Sequence, residues 1–180
     1  IKDAIDEANN PAGGDLSDGS AGDQVEIRPN NGTYIFDTGS VSPITDDNTR
    51  ITPLGNSEVV FENNDGGATL AADAANVEIE DITFDQATFD TRALQLEDAG
   101  SDSNSLSVSG REFRNAGAGQ TAYVAAEDGA ASLEVADSSF SETNGNAQNG
   151  VDLINSINNN GDDNLDVTLS NNEFDGLDTA

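Results

Sequence analysis

The chain has 180 residues, enough for one ordinary domain, and carries 35 Asp plus Glu against 6 Lys plus Arg, a formal charge of -29. It contains no Cys, His, Met or Trp, which excludes disulfides, thiolate metal sites and the usual general base near neutral pH. There is no basic patch to meet a phosphate backbone and no apolar run near the ~20 residues that span a bilayer, so neither nucleic-acid binding nor a membrane span is expected.

In chain order, Ile1, Ala4, Ile5 and Ala8 fall at helical spacing and predict a short amphipathic helix over 1–9, stopped by Asn9-Asn10-Pro11. A Gly/Asp/Ser loop runs to Asp23. Val25 and Ile27, then Tyr34, Ile35 and Phe36, read as strands around the turn Pro29-Asn30-Asn31-Gly32. A further strand pair lies between Ile51 and Phe61. No signal peptide is visible, and Ile1 begins inside a periodic segment.

From Val77 the chain repeats. Val77/Ile79/Phe84, Leu106/Val108/Phe113, Leu133/Val135/Phe140 and Val167/Leu169/Phe174 share one spacing, with Phe seven positions after the first apolar residue. Three positions before each Phe stands Asp81, Gly110, Asp137 or Asn171, residue types that tolerate a left-handed backbone at a sharp bend. Between the copies lie further strands at 93–96, 122–126 and 151–154. Such a unit cannot bury its apolar face alone, whereas stacked coils bury a continuous core and pair each strand in parallel with its copy one coil later. The expected fold is all-β: a right-handed parallel β-helix with an N-terminal capping helix. One domain covers 1–180, with the cap helix at 1–9, first coils at 23–76 and repeated coils at 77–180. The rival is a β-sandwich, which would pair neighbouring strands antiparallel and gives no reason for Phe to return at the same place.

Two stretches resemble the pectate-lyase-like superfamily of right-handed β-helices and the periplasmic copper-processing and carbohydrate-binding repeat proteins related to it. "IKDAIDEANN … GDQVEIRPNNGTYIFD" is similar to that superfamily's cap helix and first coil. "VEIEDITFDQ", "LSVSGREFRNA", "LEVADSSFSETN" and "VTLSNNEFDG" are similar to its repeated coil. The resemblance implies the fold over nearly the whole chain and leaves function open, since this fold hosts lyases, hydrolases, epimerases, adhesins and viral spikes. The composition, rich in short acids with Lys2 as the only lysine, resembles proteins of extreme halophiles. Molar salt shortens the screening length to about 3 Å and relieves the self-repulsion. A haloarchaeon or its virus is the expected source, and an extracellular, cell-surface or virion-surface location in high salt the expected setting.

The chemistry that the resemblance implies is largely missing. Without His, and with lysine only at position 2, the hydrolase, lyase and epimerase motifs of the superfamily are absent. Asp46-Asp47 and Asp162-Asp163 are adjacent acids and read as solvated loop residues. Arg92, Arg111 and Arg114 place cations on the coil surface, yet an arginine base needs its pKa lowered, which acidic surroundings oppose. Asp15, Asp18 and Asp23 cluster among glycines and are candidate calcium ligands; otherwise no cofactor is expected. Asn31-Gly32-Thr33 is an N-glycosylation sequon at a turn. Gln95, Glu97, Tyr123, Glu127 and Asp152 form a candidate binding ladder for a sugar, with the alternative that Tyr123 is core. The expected function is a non-enzymatic surface module (stalk, spike or adhesin) that binds a surface glycan or host surface; the alternative is a polysaccharide-active lyase, hydrolase or epimerase. A basic residue converging with two or more acids on one solvent-facing strand would favour the second. The last coil ends without a cover, so a further domain or partner subunit is expected to cap it.

Overall fold

The computed structural model describes residues 1–9, 25–36, 43–63, 68–85, 92–97, 104–114, 122–127, 132–141, 149–154 and 166–176. The chain winds as a parallel β-helix behind one short helix, α1 (Lys2–Ala8). The first coil contains β1 (Val25–Ile27) and β2 (Gly32–Phe36), and the second contains β3 (Thr49–Ile51), β4 (Val59–Asn63) and β5 (Leu70–Ala72). In the third are β6 (Val77–Glu80), β7 (Ile82–Asp85) and β8 (Leu94–Leu96), and in the fourth β9 (Ser105–Ser109), β10 (Glu112–Arg114) and β11 (Ala122–Glu127). The fifth comprises β12 (Ser132–Ala136), β13 (Ser139–Ser141) and β14 (Asn149–Ile154), and the sixth β15 (Asp166–Ser170) and β16 (Glu173–Asp175).

Equivalent strands stack into three sheets, in the orders β1-β3-β6-β9-β12-β15, β2-β4-β7-β10-β13-β16 and β5-β8-β11-β14. Ile44 supplies the first coil's place in the third sheet through a parallel bridge to Ala72. The pairing of β9 with β12 decides between the two architectures: it is parallel, with Leu106 opposite Leu133 and Val108 opposite Val135. A sandwich is thereby excluded.

Why these residues form these strands follows from the alternation. Side chains on a strand point to opposite faces in turn, so the apolar members of each coil face the interior. Ile27, Ile51, Ile79, Val108, Val135 and Leu169 run through the first sheet in register. The second sheet carries an aromatic column, Tyr34, Phe61, Phe84, Phe113, Phe140 and Phe174. Its rings lie nearly parallel from Phe84 onward, at centroid distances of 5.2, 4.7 and 4.9 Å, and edge-to-face at Phe61–Phe84, 5.7 Å. The four repeated phenylalanines thus form the expected column, and Phe61 and Tyr34 extend it two coils towards the N-terminus. The spacing hid these two because the connections 28–31 and 52–58 set Tyr34 and Phe61 farther than seven positions after the first residue of the preceding strand.

The bends behave as their residues dictate. Asp81, Asp137 and Asn171 take φ of 55°, 50° and 54°, and Gly110 takes 87°. At the corner before the first sheet Asn48 and Asn76 are also left-handed, with φ of 63° and 58°, and Asn76 Nδ2 donates to Asn48 Oδ1 at 3.0 Å. At the N-terminal end α1 buries Ile5 and Ala8 against the core. Asn9 ties this helix to the first coil: its Nδ2 donates to Pro43 O at 2.6 Å and its Oδ1 accepts from Thr45 N at 2.8 Å. The expected capping helix is therefore present. At the other end Leu169 and Phe174 are 49% and 36% exposed.

Candidate functional site

The outward residues of the second sheet make two rows, each with one residue per coil and polar from the third coil onward. Thr33, Val60, Thr83, Glu112, Ser139 and Glu173 form the first, and Ile35, Glu62, Asp85, Arg114, Ser141 and Asp175 the second. The rows exist because the inward aromatic column fixes the parity of every strand in this sheet. Thr83, Glu112, Ser139 and Glu173 of the first row floor an open groove of about 520 Å³, walled by Glu58, Arg111 and Arg114 and by the bends at Gly110, Asp137 and Asn171.

The charges of this groove are organised across coils. Arg114 Nε donates to Asp85 Oδ2 at 3.0 Å, and its Nη1 to Glu112 Oε2 at 3.3 Å. Ser141 Oγ donates to the other oxygen of Glu112, also at 3.3 Å. Arg111 Nε donates to the carbonyl of Asp81 at 3.2 Å and stands 3.6 Å from that residue's carboxylate. A cation and two acids do converge here, on a solvent-facing surface. With hydroxyls from Ser139 and Ser141 among them, these groups offer donors and acceptors suited to a polyhydroxylated ligand.

A second convergence lies on the outside of the first sheet, where Glu26, Arg50 and Glu78 are in register across three coils. Arg50 lies within 3.6 Å of Glu26 and 3.5 Å of Glu78, and hydrogen-bonds Glu80 through Nη2. Its pKa is raised, chiefly by the bond to Glu80 and further by the surrounding carboxylates. That is the opposite of what an arginine base needs. Glu26 is held below the ordinary carboxylate range mainly by its hydrogen bond from Arg28. This cluster was not read from the sequence, since Glu26 and Glu78 meet Arg50 only once the first three coils are aligned. The alternation Glu78-Ile79-Glu80 was the visible signal.

The expected sugar ladder is only partly assembled. Gln95 lies on the outside of the third sheet, in one register row with Ala71, Ala125 and Asp152. It is half-buried and accepts a hydrogen bond from Arg92 Nη1 at 3.1 Å. Glu97 is half-buried just past β8; its backbone N–H donates to Ala72 O and its carbonyl accepts from Asn104. Glu127 is paired with Ile154, two positions beyond the Ala125–Asp152 pair. Tyr123 does not belong to the ladder. It is fully buried, its ring 6.1 Å from Phe113 and 6.0 Å from Phe140, and its hydroxyl donates to Ser141 O at 2.8 Å. The correction has a simple cause. Val124, one position later, is the partner of Leu94, so the step from Arg114 to Val124 is one residue longer than that between their partners Asp85 and Leu94, and Tyr123 is buried at the corner.

Asp15, Asp18, Asp23, Asp162 and Asp163 lie outside the described residues. Among the described residues no group of three or more acids is arranged to hold a metal ion, and no helix is long and apolar enough to cross a membrane. Of the Asp46-Asp47 pair, Asp47 Oδ1 accepts from Ala75 N at 2.8 Å. The Asp46 pKa is raised by burial and by the neighbouring Asp47 charge. Asn31 is exposed at the turn into β2. No family model, curated protein or solved structure matches the chain.

Proposed function

We propose that this chain is a rigid, non-enzymatic recognition module of an extracellular, cell or virion surface in a high-salt setting, and that it binds a glycan along the outside of its second sheet. The observation that carries the reading is the groove over Thr83, Glu112, Ser139 and Glu173. Parallel strands stand about 4.8 Å apart, so the face repeats polar groups at short, fixed intervals along the coil axis, as a linear saccharide requires. Arg114, which reaches this groove, is ion-paired to Asp85 and Glu112, an arrangement that fixes the orientation of its donors. The halophilic composition and the coil pattern of the pectate-lyase-like superfamily support the same setting. Calcium at Asp15, Asp18 and Asp23 remains part of the proposal as a structural ion. The exposed Leu169 and Phe174 support a further domain or partner subunit docked on the sixth coil.

The test is a glycan-array and calorimetric screen of the protein in molar salt, repeated with Glu112→Gln and Arg114→Ala. Binding that both variants weaken at least about tenfold, roughly 1.4 kcal/mol, supports the groove. Binding that neither variant changes refutes it. The convergence of Arg114, Asp85 and Glu112 also favours a second reading, a polysaccharide-active enzyme. Reducing-sugar release, or absorbance from an unsaturated product, that Glu112→Gln abolishes would establish that reading instead.

A further inference from the structure

The turn from β1 to β2 carries Asn31-Gly32-Thr33. Both Asn31 and Thr33 are exposed. Gly32 has φ of 146° and open space around it, a conformation that suits glycine. Asn31 Oδ1 accepts from Glu58 N at 3.0 Å, and Gly32 N donates to Glu58 O at 3.0 Å. The amide of Asn31 is thus fixed through its oxygen to the next coil, while its Nδ2 has no hydrogen-bond partner among the described residues. Among the described residues β2 is the terminal strand of its sheet.

We infer that Asn31 is an N-glycosylation site of the exported protein, the oligosaccharide standing outward from the first coil. The inference rests on the proposed surface location. The co-reactant is a lipid-phosphate-linked oligosaccharide presented by a membrane oligosaccharyltransferase. Nδ2 forms a C–N bond to the anomeric carbon and loses one proton, which passes to a base of the transferase and on to solvent. The bond from that carbon to the lipid phosphate oxygen breaks, the lipid phosphate leaves with the electron pair, and no atom changes oxidation state. Afterwards Oδ1 still accepts from Glu58 N, so the product keeps the native turn.

The test is secretion of the chain behind a supplied signal peptide from a halophilic host that N-glycosylates its own surface proteins. The chain carries an appended Asn-Gly-Thr tag, and the host is one in which that tag is occupied. Intact mass and peptide mapping are expected to show a second oligosaccharide on most molecules. Asn31→Gln and Thr33→Ala should lose it, and Thr33→Ser should retain it. A chain occupied at the tag and bare at Asn31 overturns the inference. Because export is supplied, this failure is distinct from failure of the surface reading, which would show as retention of the native chain inside the cell.

Discussion

Phe174 occupies the space that a side chain on Gly150 would need: a Cβ at Gly150 would stand 2.3 Å from Phe174 Cε1 and 2.7 Å from Cδ1. In the preceding coil the same corner holds Tyr123, whose ring lies beside Phe113 and Phe140. One residue's lack of a side chain therefore admits the last ring of the column. Gly150→Ala is expected to destabilise the protein by about 1–3 kcal/mol through overpacking, measured by chemical denaturation in molar salt. Phe174→Leu in the same chain should recover part of the loss. An unchanged midpoint for Gly150→Ala would contradict the packing of the sixth coil.

Position along the column should set the cost of losing a ring. Phe113 is 1% exposed and stacked on both sides, whereas Phe174 is 36% exposed and stacked on one. Phe113→Ala should cost about 3–5 kcal/mol by leaving a cavity, and Phe174→Ala clearly less. Equal losses would mean that the sixth coil is as enclosed as the fourth.

The left-handed bends make a separate prediction. Asp137 stands at φ 50°, where a β-carbon is disfavoured by about 1–2 kcal/mol and Asp is among the better-tolerated side chains. Asp137→Ala should destabilise by about 1 kcal/mol, and Asp137→Gly should be close to neutral. Gly110→Ala should cost more, because its Cβ would also stand 2.7 Å from Asp81 Oδ1. Thermal melts of the three variants at one salt concentration would establish the order.

Asp46 makes its own contribution to pH dependence. Its pKa is raised by burial and by the charge of Asp47, and its Oδ2 is buried without a hydrogen-bond partner. A carboxyl whose folded pKa exceeds the unfolded one binds its proton more tightly when folded. Its stabilising contribution is present below the unfolded pKa and is lost as pH rises through the folded value. Asp46→Asn should accordingly raise the Tm near pH 7 and leave it unchanged near pH 3. A Tm lowered at pH 7 would show that the ionised carboxylate has a stabilising partner.

Salt should act on the whole chain. With a formal charge of -29, stability is expected to fall sharply below roughly 0.5 M salt, where screening of self-repulsion weakens. Melting curves in sodium chloride and in calcium chloride at equal ionic strength separate two causes. A gain specific to calcium would point to Asp15, Asp18 and Asp23, and a Tm that is flat with salt would remove the halophile argument.

The fold was legible wherever coils share one spacing. The seven-residue step from Val77, Leu106, Leu133 and Val167 to its Phe, with a left-handed residue at the bend, is the direct imprint of strand, bend and strand on the chain. Phe61 was hidden by the longer Thr52–Glu58 connection. For Tyr123 the core reading holds and the ladder reading fails: the step from Phe113 to Val124 is one residue longer than that from Phe84 to Leu94, and corners, unlike strands, do not keep a period of two. The groove and the Arg50 cluster are harder still to read. Apart from pairs on one strand such as Glu112 and Arg114, their members meet across coils, as Asp85 meets Arg114 and Glu26 meets Arg50, so a side chain's partners depend on the length of every intervening loop.

The tie made by Asn9 has a consequence for the order of events in the molecule. One end is clasped by a helix and two hydrogen bonds to the first coil, while the other ends in half-open Leu169 and Phe174. Among the described coils the two ends therefore differ: unless a further domain or subunit covers it, the sixth coil should open more readily than the first. Synthesis runs the other way along the solenoid: the coils nearer the clasp are finished earlier, and each becomes the template on which the next is laid.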